Sequence, residues 1–135
     1  KALTRLANSI DRWIKLPLSL YGCIALQKMV VLPRFLFLFV TILFLLPRSF
    51  FITLQSLQVC LASAGREPLV RWEVLTLPYE KGGLNAPDLE AYYRAAQSSH
   101  AFYWLNDNVT LLHVQIERNI AAPLSLPHLL FRTPA

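Results

Sequence analysis

Five side chains of the sequence are of the types that bind metals or act as nucleophiles and bases: Cys23, Cys60, His100, His113 and His128. No two of them stand at the short spacing that brings a pair of ligands onto one metal ion. The histidines are therefore predicted to be ordinary polar residues, and the cysteines to be buried thiols, since two cysteines are no disulfide framework. We expect no metal and no cofactor at these positions.

Phosphate-binding loops and activated serines have sequence patterns of their own, and the chain matches neither. It has four glycines, of which Gly82 and Gly83 are adjacent, and these cannot supply a glycine-rich loop. No serine lies in a nucleophile-elbow sequence. The acidic pair Asp88 and Glu90 is best explained by helix capping. The sequence accordingly predicts no catalytic residue and no enzyme activity for this chain on its own.

Basic residues carry the strongest functional signal, because they are concentrated in one half of the chain. Residues 1–66 contain eight lysines and arginines and one acid, whereas residues 67–135 contain five basic residues and seven acids. This imbalance indicates a polyanionic partner, either a phosphate backbone or an anionic membrane, while an ordinary solvated surface is the blander alternative. Five cations on or beside predicted helices are the predicted nucleic-acid contacts: Arg5, Arg12, Lys15, Lys28 and Arg34.

Apolar residues at helical spacing predict two helices at the start of the chain. In the first, the basic residues fall away from the apolar stripe, which makes the helix amphipathic, and Pro17 ends it. Ser19 is well placed as the N-cap of the second helix, which we expect to run to about Leu32 and to stop at Pro33. The apolar stripe of the first helix consists of Leu3, Leu6, Ile10 and Trp13.

The most apolar segment is 35–46, in which Thr41 is the one polar residue. Apolar residues make up 55% of the whole chain, which exceeds the roughly 45–50% of an average soluble domain. A membrane span needs about 20 apolar residues, so this run, closed by Arg34 and Arg48, favours burial against protein. The alternative is a small membrane-associated protein with a hydrophobic segment at about 30–47 and the two arginines at the interface.

The rest of the chain is also predicted to be mainly helical. A one-sided helix follows Pro47, residues 63–68 form a loop, and 69–78 fit either a short strand or a short helix. Lys81, Gly82 and Gly83 form a turn in which glycine permits positive φ. The apolar stripe of the helix after Pro47 consists of Phe50, Leu54, Leu57 and Leu61.

Two further helices are predicted before an irregular, proline-rich tail. Asp88 is expected to cap a long helix that reaches about Tyr103, and the last helix spans about 110–120. The apolar face of that last helix consists of Leu112, Ile116 and Ile120. The predicted fold is therefore all-α, with about five helices and a short turn or hairpin between them.

Several stretches, in order and at matching spacing, resemble the region after the catalytic palm of reverse transcriptases from LINE-type non-LTR retrotransposons. The stretch LPLSLYGCIALQKMVVLPRFLFLF resembles the Leu-Ser-x-x-Gly-Arg-Ile, Lys-Met and Leu-Pro-Lys/Arg run of that family. Further on, LPRSFF resembles the start of the family's next helix, and LTLPYEKGGLNAPDLEAYYRAAQ its Gly-Gly-Leu-x-x-Pro-x-Leu-x-x-Tyr-Tyr stretch. The matching positions of the first stretch are Leu18, Ser19, Gly22, Ile24, Lys28, Met29, Leu32, Pro33 and Arg34.

This resemblance implies a thumb, the helical subdomain that grips the template–primer duplex while the palm adds nucleotides. Residues 1–108 would form the thumb-like region, and 109–135 a short helix and tail that begin the following region. The partners implied are a template–primer nucleic acid, held by its backbone, and the palm of the parent polymerase, whose paired aspartates this chain lacks. Cys23, Ser63 and Leu69 depart from the family's pattern, so a translated relic without selected activity is a further alternative.

Overall fold

The computed structural model of the chain describes residues 1–41, 45–106, 108 and 110–122. It is 72% helical, with six α-helices and no strand in the described residues, which confirms the predicted all-α class. The predicted irregular tail lies outside the described residues from position 123 onward, and so does His128. The helices are α1 (Ala2–Trp13), α2 (Leu20–Thr41), α3 (Arg48–Ala62), α4 (Trp72–Thr76), α5 (Leu89–Leu105) and α6 (Leu112–Ala121).

Both predicted N-caps are confirmed. Ser19 has extended backbone angles, and its hydroxyl accepts a hydrogen bond of 3.2 Å from the backbone N–H of Gly22. Asp88 accepts bonds at its Oδ1 from the backbone N–H groups of Glu90 and Ala91, at 3.1 and 3.3 Å. Each cap satisfies amides that have no partner inside the helix, so the sequence fixes where α2 and α5 begin.

The predicted boundary at Pro33 is wrong, because α2 continues through this residue to Thr41. The turn before it, Gln27–Val31, is wider than an α-turn, and the backbone N–H of Leu32 donates to the carbonyl oxygen of Gln27, five residues back. A proline inside a helix lacks an N–H and crowds the carbonyl four residues earlier. A widened turn redistributes the hydrogen bonds around that position, and so the helix passes the proline without ending.

The ambiguous segment after α3 forms a short helix, α4, followed by the predicted glycine turn. Gly82 has φ +80, and a Cβ atom on Gly83 would collide with the backbone carbonyl of Leu77. After this turn the chain runs back along the end of α4. The backbone N–H of Ala86 donates to the carbonyl oxygen of Leu75 at 2.8 Å, and that of Asn85 donates to Leu77 at 2.8 Å.

Residues 1–93 form one compact unit and residues 94–135 a second, and the division falls inside α5. In the first unit, α1 and α2 both pack against α3. Leu6 and Ile10 of the predicted α1 stripe are buried, as are Leu54 and Leu61 of α3. An aromatic cluster with ring-centroid distances of 5.0–6.4 Å completes this core, and its members are Phe35, Phe39, Phe50, Phe51 and Tyr93.

A pair of glutamines is buried in the same core, although the α3 pattern places Gln58 off the apolar stripe. Gln27 and Gln58 are 0% and 3% exposed. The side-chain amide nitrogen of Gln58 donates to Oε1 of Gln27 at 3.3 Å and to the carbonyl oxygen of Pro87 at 2.9 Å. Gln27 in turn donates to the backbone carbonyl of Gln58 at 2.9 Å. These bonds join α2, α3 and the segment before α5.

The second unit contains the end of α5 and helix α6. Trp104 Nε1 donates to a carboxylate oxygen of Glu117 at 2.7 Å, and Arg118 donates to the backbone carbonyl of Asn106 at 3.1 Å. The helix predicted for about 110–120 is confirmed, but its apolar face is not the side that is buried. Val114 is the buried apolar residue of α6, while the three residues of the apolar face are exposed: Leu112, Ile116 and Ile120.

Candidate nucleic-acid interface

A groove of about 840 Å³ lies along α1 and the second half of α2. Its apolar floor comes largely from α2, and three cations stand around it: Lys1, Arg5 and Arg34. No acidic residue is among the described residues that line it. A concave surface lined with positive charges raises the local concentration of anions. This groove is therefore the candidate nucleic-acid interface.

The helical backbone explains why these cations gather. Lys1 and Arg5 are four positions apart at the start of α1, so their side chains lie on the same side of the helix. Arg5 and Arg34 are both exposed, and within the described residues neither forms an ion pair or a side-chain hydrogen bond. Their guanidinium groups are consequently available for an external phosphate.

Two of the predicted contacts, Arg12 and Lys15, lie elsewhere. Both are exposed, Arg12 in the last turn of α1 and Lys15 just beyond it, and neither lines the groove. The structure therefore brings together two of the five predicted cations, Arg5 and Arg34.

Lys28, also a predicted contact, already has partners within the chain. Its Nζ donates to the hydroxyl oxygen of Tyr79 at 3.2 Å and to the carbonyl oxygen of Leu84 at 3.4 Å. The same ammonium lies 5.2 Å from the centroid of the Tyr79 ring, within the range of a cation–π contact. Lys28 is half-buried, so its position ties α2 to the glycine turn.

Sequence reasoning missed Lys1, which lines the groove beside the two arginines. The signal that could have found it is its four-residue spacing from Arg5, which places like charges together on a helix face. No comparable signal links Arg34 to Arg5, because 29 positions separate them in the sequence. That proximity depends on how the helices pack.

Within the described residues, no group of three or more His, Cys, Asp or Glu side chains could hold a metal ion. Both cysteines are free thiols. Cys23 is buried, as predicted, and burial raises the pKa of its thiol because a thiolate would lose its hydration. Cys60 is half-buried.

A second cavity, of about 420 Å³, lies between α3 and the segment that leads to α4. Its walls are mainly apolar, and they include Ser63 and Leu69, two positions that depart from the resembled pattern. Leu69 is 99% exposed and does not fill the cavity. Ser63 and Leu69 therefore lie together on a side of the unit that shares no lining residue with the cationic groove, whereas Cys23, the third departure, is buried.

Helix α2 also has features of a membrane-interacting helix. It has 22 residues, and by length and composition it is the one helix among the described residues that could cross a bilayer. The length argument against a span was made for the apolar run 35–46, whereas this helix spans Leu20–Thr41 and contains Lys28 and Arg34. Four large apolar residues spaced along α2 are exposed: Tyr21, Met29, Phe37 and Val40. The core of a soluble protein can contain a helix of the same composition, and 33% of an apolar 18-residue stretch of this one is buried.

No family model matches the chain.

Proposed function

We propose that this chain is a non-catalytic nucleic-acid-holding module that grips the sugar-phosphate backbone of a template–primer duplex, as the thumb of a LINE-type reverse transcriptase does. The observation that carries the proposal is the groove with Lys1, Arg5 and Arg34 on its walls and no acid among its described lining residues. Contacts to phosphates fix the position of a duplex without reading its sequence. A thumb needs this property, since it must hold whatever sequence is being copied.

The charge distribution and the fold support the same function. The cations belong to the half of the chain with eight basic residues and one acid. Arg5 and Arg34 lie on helices that both contribute to the packed core of residues 1–93, through Leu6 and Phe35 respectively. Cations on rigid elements lose less conformational freedom when they bind a phosphate than cations on loops. The palm of the parent polymerase would supply the chemistry.

A salt titration of duplex binding tests this function. Affinity for a fluorescently labelled primed template is measured by anisotropy over a range of salt concentrations, because each phosphate contact adds about 0.9 to the slope of log K against log salt. The variant Arg5→Ala with Arg34→Ala should flatten the slope by about 1.8. Lys28→Ala is unsuitable here, because it also removes the contacts to Tyr79 and Leu84.

The matched control is Arg48→Ala with Arg66→Ala, which removes the same charge from two exposed arginines outside the groove. We expect this control to change the slope much less than the groove variant. Equal flattening by both variants would mean that net charge, and not the groove, determines binding. Binding that does not respond to salt would contradict the proposal altogether.

Membrane association is the second candidate function, favoured by the length and composition of α2 and by its exposed apolar residues. In this case the exposed side of α2 would contact the lipid, and Arg34, which lies within the helix seven residues before its end, would extend to the headgroups. Carbonate extraction of expressed chain distinguishes the two candidates. Release into the soluble fraction excludes integral insertion, whereas retention in the membrane pellet excludes a function that depends on the free groove.

A further inference from the structure

Phe37 is an aromatic residue in an unusual position, because it lines the cationic groove and yet is 71% exposed. It does not belong to the aromatic cluster of the core, which its helix neighbours Phe35 and Phe39 join. Arg34 stands three residues before it on α2, so the guanidinium and the ring lie on adjacent positions of one helix face. A ring exposed beside a cation offers a stacking surface next to a phosphate contact.

The groove is elongated. Lys1 and Trp13 both line it and lie twelve positions apart on one helix, which is about 18 Å. Its volume of about 840 Å³ is within the range of about 300–1,000 Å³ found for ligand sites. A long groove with cations along an apolar floor suits an extended chain of nucleotides better than a compact ligand.

We infer that this groove takes an unpaired nucleic-acid strand, with one base stacked on the ring of Phe37 and the neighbouring phosphates held by Arg34 and Arg5. The inference rests on the proposed function and adds to it: where the template beside the duplex is unpaired, the same groove holds that strand. In a duplex each base is already stacked between its neighbours, so only an unpaired base can present a free face to an aromatic ring. Phosphate contacts alone would not need an exposed phenylalanine.

The concave shape of the cationic lining favours this occupant over a lipid surface, since an anionic bilayer would match the charge equally well. The lining combines three cations with one highly exposed ring. The exposed apolar residues of α2 that could contact a bilayer are Tyr21, Met29, Phe37 and Val40, and three of these four do not line the groove. Anionic vesicles therefore serve as one arm of the test.

The test compares full-length wild type with Phe37→Leu, which keeps an apolar side chain but removes the π-face. The probes are a labelled unpaired DNA strand of about 15 nucleotides, within the site sizes of about 4–16 nucleotides seen for single-strand binders, a blunt duplex of the same length, and phosphatidylcholine–phosphatidylserine vesicles. Phe37→Leu should weaken single-strand binding by about 5- to 150-fold and weaken duplex binding much less, because a paired base has no free face to stack on the ring. Phe37→Trp, which keeps a ring, should retain single-strand affinity.

Phe102→Leu is the matched control, because Phe102 is also an exposed phenylalanine, on α5 in the other unit. It should change none of the affinities. Equal effects of Phe37→Leu on both DNA probes, or no effect on either, would overturn the stacking inference. In those cases salt-dependent duplex binding by wild type would still support the proposed function. Absence of binding to both DNA probes would overturn the two together, and a Phe37-dependent interaction with vesicles alone would identify lipid as the occupant.

Discussion

Gln27 and Gln58 are polar residues in an apolar core, and each keeps the other's hydrogen-bonding groups satisfied. Gln58→Leu would leave Oε1 of Gln27 and the carbonyl oxygen of Pro87 without the donor that each has now. A buried acceptor that loses its partner costs about 1–3 kcal/mol. We therefore expect the free energy of unfolding to fall by that amount, as measured by urea denaturation followed through tryptophan fluorescence.

The coupling between the two glutamines is the sharper part of this prediction. The double variant Gln27→Leu with Gln58→Leu should lose less stability than the two single variants added together, because it removes both members of the same pair. Gln55→Leu is the control, since Gln55 is exposed on the same helix and should change stability by less than about 0.5 kcal/mol. Strict additivity would show that the two side chains do not interact in solution.

The sequence predicted the helix caps but not the burial of polar side chains. The caps at Ser19 and Asp88 were predictable, because an N-cap depends on residues two and three positions away in sequence. Burial of Gln58 was not, because its partners are 31 and 29 residues distant. The same limit applies to Lys28. Its residue type indicates a positive charge, but its contact with Tyr79 depends on the tertiary fold.

At the scale of the element, the turn after α4 depends on two adjacent glycines for different reasons. Gly82 has open space around it but a left-handed φ of +80, whereas Gly83 faces the backbone of Leu77. Gly82→Ala should therefore cost about 1–2 kcal/mol, the penalty of a left-handed conformation for an L-residue. Gly83→Ala should cost more, because the backbone of Leu77 must move to admit a methyl group. Thermal unfolding of the two variants measures the order.

Gly82→Asn provides the control for this turn, because asparagine tolerates the left-handed region better than alanine. It should recover part of the stability that Gly82→Ala loses, while Gly83→Asn should not. If Gly82→Ala proved more harmful than Gly83→Ala, the close approach of Gly83 to Leu77 would be incorrect. Loss of the turn would also release Lys28, since Tyr79 lies in the segment that the turn holds.

Helix positions followed from sequence more reliably than helix ends and faces. The start of α2 was set by a local cap, but its continuation past Pro33 depends on a widened turn that no composition rule predicts. In α6 the spacing of Leu112, Ile116 and Ile120 marks a helix correctly, yet Val114 is the residue that is buried. Periodicity identifies an apolar face, whereas packing decides which face is covered.

For the whole molecule, the number of phosphate contacts determines how steeply binding falls with salt. The five cations predicted from sequence would give a slope of about −4.5 for duplex DNA, at about −0.9 for each contact. The groove of the folded chain contains three cations, Lys1, Arg5 and Arg34, which predict a slope of about −2.7 for a duplex and about −2.1 for a single strand. Anisotropy titrations between about 50 and 200 mM salt cover the range in which this difference is measurable.

The double variant Arg12→Ala with Lys15→Ala distinguishes two binding footprints. One consists of the groove cations alone, and the other also includes the cations at the end of α1. If the groove alone binds, this variant keeps the wild-type slope, because both side chains lie outside the groove. If the footprint extends along the whole basic side of α1, the wild-type slope is steeper than about −2.7 and the variant loses about 1.8 of it. A wild-type slope near zero would contradict both footprints. In that case the excess of basic residues in positions 1–66 would be solvated surface, and the exposed apolar residues of α2 would be the remaining candidate for a binding surface.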